Sequence, residues 1–178
     1  MSRTSQARAA AIAAAAFILS GVSVIGHHIP DQHWGTRGAV LDIAFAAGAL
    51  AIAVALPAVV SLVNAGRLAG MGERIAQAGL GAIALECIAS TIHDGNTLGP
   101  VFMLGLLAAI TGLALLAVDG LRSGEARTLA VLPVLGLVVG IATGNQGGAI
   151  VLGALCAALA IVISRSDQSA RAPRPATG

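Results

Sequence analysis

Charge is scarce in this chain: Asp, Glu, Lys and Arg together make up 10% of its 178 residues. A soluble domain carries about 25%, because its surface must face water. Lysine and tyrosine are absent, and every basic residue is arginine. The first absence excludes Schiff-base chemistry, and the second excludes any tyrosine-dependent step. Aromatics amount to three Phe and one Trp, too few to stabilise carbocations or stack sugars. No G-x-S-x-G, Walker loop, HExxH or CxxC occurs, so the sequence does not point to an enzyme. Cys87 and Cys156 both fall inside apolar runs and read as small buried hydrophobes rather than a disulfide framework. A formal charge of +2 with no basic stripe excludes nucleic acid as a partner.

What is there is apolar: 57% of the residues, with a mean hydropathy of +0.90. Such a chain cannot cover a water-facing surface, so the lipid bilayer is its expected solvent. An α-helix needs about 20 apolar residues to cross a hydrocarbon core of about 30 Å. Six runs qualify, at 9–26, 38–63, 75–92, 100–118, 128–144 and 147–164. Barrel strands would be shorter and would alternate in hydropathy, which these runs do not. The expected fold is therefore all-α, a polytopic six-helix membrane bundle over 1–164 with a disordered cytoplasmic tail over 165–178.

Arginine placement orients it. If the helices alternate in direction, one side receives Arg3, Arg8, Arg67, Arg74, Arg122, Arg127, Arg165, Arg171 and Arg174, and the other only Arg37. The positive-inside rule then places both termini in the cytoplasm of a cell-membrane protein. Arg3 and Arg8 followed by "AAAIAAAAFILS" also resemble a cleavable signal peptide, with Gly21 and Ser23 small enough for cleavage. The run continues to spanning length, so the first helix is expected to stay.

Helices in lipid associate through small residues that let backbones approach. Gly136, Gly140 and Gly144 recur every four residues in the fifth run, as do Ala149, Gly153 and Ala157 in the sixth. The short break "TGNQGG" makes these two runs a hairpin, and their small-residue faces are expected to meet. From residue 127 to residue 164 the hairpin spans about 55 Å, slightly short of two crossings. That sets Asn145 and Gln146 at or just below the outer headgroups. Pro57 and Pro133, both in "LP" steps, read as ordinary membrane prolines rather than as the trace of an inverted repeat.

All four histidines gather on the side opposite the arginines. His27, His28 and His33 share the first loop with Asp31 and Trp34, and His93 sits beside Asp94 in the second. Two acids lie deeper, Asp42 five residues past Arg37 and Glu86 seven residues before His93. In a helix, Glu86, Ser90 and His93 share one face, so "ECIASTIHD" draws a polar line into the outer leaflet. A bare carboxylate at bilayer depth costs about 2.5–3.5 kcal/mol even on gentle scales. Each acid must therefore be protonated, paired or in contact with water.

The leading reading is an accessory or structural membrane component with a polar outer cluster, acting through a membrane-protein partner or as a homo-oligomer. A second is an outward-facing proton- or cation-coupled site. It would be built on Asp42 and Glu86, with Ser90, His93, Asp94, Arg37, Asn145 and Gln146 around them. A third is a metal ion or haem held by His27, His28, Asp31, His33 and His93, although "HHIPDQH" matches no firm ligand template.

Overall fold

A computed structural model describes residues 2–25, 36–63, 66–93, 99–123, 127–143 and 147–171, with backbone alone at 36, 37, 127, 128, 170 and 171. The described residues form six α-helices and no strand: α1 Arg3–Val24, α2 Thr36–Leu62, α3 Arg67–Ile92, α4 Gly99–Ser123, α5 Arg127–Ala142 and α6 Ala149–Arg171. Five of them are long and apolar enough to cross a membrane, and α5 is a shorter apolar helix. The chain is an all-α membrane bundle.

Neighbours in sequence are neighbours in space, and α1 against α6 closes the ring. Consecutive helices run antiparallel. The α2/α3 pair is pinned at Ala53 opposite Gln77, and α3/α4 at Gly72 opposite Gly112 and Gly79 opposite Gly105. Up-and-down order brings the ends bearing Arg3, Arg67, Arg122, Arg127 and Arg165 to one end of the bundle. Asp42, Glu86 and His93 lie toward the other.

The helices run past the apolar runs that seeded them. α1 starts at Arg3, where the Ser2 hydroxyl caps it by accepting from the Ser5 N–H at 3.2 Å. α3 starts at Arg67, eight residues before its apolar run. Its N-cap is Gly66, which has no side chain to offer. The Asp119 carboxylate reaches across from α4 and accepts from the Ala69 N–H at 3.0 Å. Asp119 is thus the cap of a neighbouring helix. Likewise α6 continues to Arg171, so residues 165–171 are helical where a disordered tail was expected. Within it, Asp167 accepts from the Thr4 hydroxyl at 3.0 Å and ties α6 to α1.

With α6 at 23 residues, the shortfall expected of the last hairpin falls wholly on α5. Its 16 residues give about 24 Å. Gly147, at φ 85°, turns the chain into α6, in a left-handed conformation that only glycine adopts freely.

The small-residue faces of α5 and α6 do not meet as expected. Gly136 and Gly140 instead receive Leu155 and Leu152 of α6, while Gly153 of α6 lies against Ile18 and the Ala14 carbonyl of α1. The alanine-rich α1 offers α6 a flatter partner than α5 does. Backbones approach closely between α3 and α4, where Gly72, Ala76 and Gly79 interlock with Gly105, Ala109 and Gly112.

The middle of the ring is apolar. Phe17 and Phe45 meet edge to face, with centroids 5.2 Å apart. Beside them is a cavity of about 130 Å³ whose lining includes Phe17, Leu56, Leu80, Leu113, Leu137 and Cys156. Cys156 is therefore the small buried hydrophobe its sequence context implied.

Candidate functional site

Asp42 enters the bundle six residues past the start of α2, and Glu86 lies six residues before the end of α3. Both are about 9 Å from their helix ends. The antiparallel register that sets Gln77 opposite Ala53 carries on to set Ser90 opposite Asp42. The side chains follow that register: the Ser90 hydroxyl lies within hydrogen-bonding reach of the Asp42 carboxyl, and Glu86 lies close enough to act on Asp42 electrostatically. All three are shielded from solvent, with 8% of Asp42, 6% of Glu86 and 5% of Ser90 exposed. Glu86 and Ser90 are one turn apart on α3, so a single helix face presents both to α2.

Among the described residues, no arginine or histidine pairs with either carboxyl. Among those residues, the groups around them are uncharged or carry the same sign of charge. Cys87 is one of them, placed within electrostatic reach of both Asp42 and Glu86. The sequence had singled it out only as a hydrophobe, although its position beside Glu86 was the available signal.

His93 does not join this group. It is the C-cap of α3, its N–H bonded to the Ala89 carbonyl at 3.1 Å, and its side chain is exposed. It stands about one turn outward of Ser90, above the acids and toward solvent. The structure thus brings together Asp42, Glu86 and Ser90 and leaves His93 at their mouth. Asp94, Asn145, Gln146, His27, His28, Asp31, His33 and Trp34 lie outside the described residues, as does the side chain of Arg37. Among the described residues, no three His, Cys, Asp or Glu side chains converge as a metal site.

Chemically, two buried carboxyls with one hydroxyl form an oxygen-rich cluster between α2 and α3. Oxygen donors suit a proton or a hard cation. Beneath the cluster, toward the arginine end, lie the Phe17–Phe45 contact and the apolar cavity. No protein-family model, curated protein or solved structure matches this chain.

Proposed function

We propose that this chain is a small multi-pass protein of the cell membrane, both termini cytoplasmic, whose Asp42–Glu86 pair binds a proton or a small cation from the outer side. The sidedness rests on the nine arginines that alternating helices assign to one end, against Arg37 at the other.

The observation that carries the reading is the meeting of two shielded carboxyls from different helices. In a medium of low dielectric, two acids this close do not stand together as bare anions; they hold positive charge between them. A shared proton or a coordinated cation supplies it. Ser90, within reach of the Asp42 carboxyl, orients it. His93, exposed at the mouth, carries protons between the pair and water. The apolar middle of the bundle supports reversible binding from one face rather than open passage.

The test is proton and cation uptake by the purified protein in proteoliposomes as external pH is varied. Glu86→Gln and Asp42→Asn are each expected to abolish a pH-dependent signal present in the unaltered chain. If both variants leave that signal intact, the binding reading fails, and the chain is better regarded as an accessory component acting through partner helices.

A further inference from the structure

At the arginine end, α1 and α6 leave between them a groove of about 660 Å³ that changes character along its length. Its inner part is floored by Ala11, Ala160 and Ile161. Its outer part carries Arg8, Ser164, Arg165 and Gln168. The order follows from helical spacing. Residues 4, 7, 8 and 11 share one face of α1, and 161, 164, 165 and 168 share one face of α6. The alanines keep the floor low, and Ile161 is 53% exposed along it. The hydrogen bond from Thr4 to Asp167, both of which also line the groove, ties the two helix ends together.

We propose that this groove holds one anionic phospholipid from the leaflet on the arginine side. Its phosphate sits on Arg8 and Arg165, and one acyl chain lies along Ala11 and Ile161. Guanidinium groups match phosphate oxygens in a fork geometry that a point charge lacks. Ser164 and Gln168 add hydrogen-bond donors at the same level. The apolar floor begins where the headgroup ends, which is the sequence of chemistries along a phospholipid and not along a free anion. The Asp167 carboxylate lowers the net charge of the groove to one positive unit, and Thr4 already engages it. A zwitterionic headgroup would bring its own cation against both arginines, so the anionic lipid is preferred. This site is separate from Asp42 and Glu86 and does not depend on their role.

The experiment is native mass spectrometry of the full-length chain released from detergent, offered phosphatidylglycerol, phosphatidylcholine or inorganic phosphate. The unaltered chain is expected to retain phosphatidylglycerol over phosphatidylcholine by about fivefold or more. Arg8→Gln and Arg165→Gln are each expected to cut that retention about fivefold, from about 1 kcal/mol per arginine near an anionic surface. Ala11→Leu, which fills the floor, lowers retention of both lipids. Arg67→Gln with Arg74→Gln at the same end, and Asp42→Asn, leave it unchanged, and circular-dichroism melts confirm that each variant is folded. Equal retention of the two lipids by the unaltered chain would overturn the proposal, as would a preference surviving loss of Arg8 and Arg165. Displacement of phosphatidylglycerol by millimolar inorganic phosphate would also overturn it, by marking a free-anion site.

Discussion

The Gln77 side-chain amide donates to the Ala53 carbonyl across the α2/α3 interface at 3.0 Å. Ala53 is the residue four before Pro57, which lies inside α2. Proline has no N–H, so the Ala53 carbonyl lacks its helical donor. In hydrocarbon no water replaces it, and Gln77 of α3 does so instead. Its other contact, at 3.4 Å, is with Glu73 one turn away.

Gln77→Leu is therefore expected to destabilise the bundle by about 1–3 kcal/mol, the cost of a buried polar group left unpaired. Pro57→Ala restores the helical donor. In that background Gln77→Leu should cost clearly less. A double-mutant cycle measured by unfolding in mixed micelles checks the coupling, and full additivity of the two changes would show that Gln77 does not serve the proline.

The cap supplied by Asp119 gives a second expectation. Asp119→Ala removes the acceptor for the Ala69 N–H and should lower stability by about 0.5–2 kcal/mol, as loss of a helix cap does. The effect should be local. Hydrogen exchange at the first turn of α3 is expected to rise well above that of the rest of the helix, and uniform protection in the variant would count against the assignment.

A third concerns the α3/α4 seam. A Cβ added at Gly79 meets the backbone of Gly105 and Ala109, and one at Gly112 meets that of Gly72 and Ala76. Gly79→Leu and Gly112→Leu should each destabilise by at least the 1–3 kcal/mol typical of overpacking, because backbone cannot move aside as a side chain can. At Gly70 and Gly81 an added Cβ meets nothing within 4 Å. Alanine at either position should leave the melting temperature unchanged or slightly raised. Equal sensitivity at all four glycines would refute the packing described.

The class of fold was legible because lipid imposes a length on every crossing, and five of the six runs grew into helices of that length, α5 falling short. Where each helix ends was less so. A hydropathy run stops at the first charges, but Arg3, Arg67 and Arg165 stay helical because charge costs nothing at headgroup level. Which faces meet was not legible. Glycine and alanine recur at four-residue spacing in most of these helices, so spacing alone did not select α1 as the partner of Gly153 or α4 as the partner of Gly79. Asp42 and Glu86 stood out because acids are rare in such surroundings, and Ser90 followed from its place one turn beyond Glu86. The roles of Asp119 and Gln77 were hidden because their partners are backbone groups of other helices, which no side-chain pattern announces.

The most direct test of the central claim is infrared difference spectroscopy of the carboxyl groups, on the protein in bilayers, as pH is stepped. If Asp42 and Glu86 hold positive charge as one unit, Asp42→Asn and Glu86→Gln should each remove the same band change, and the double variant should remove no more. Two separate losses that sum to the loss in the double variant would mean that the acids titrate independently, and would contradict the account.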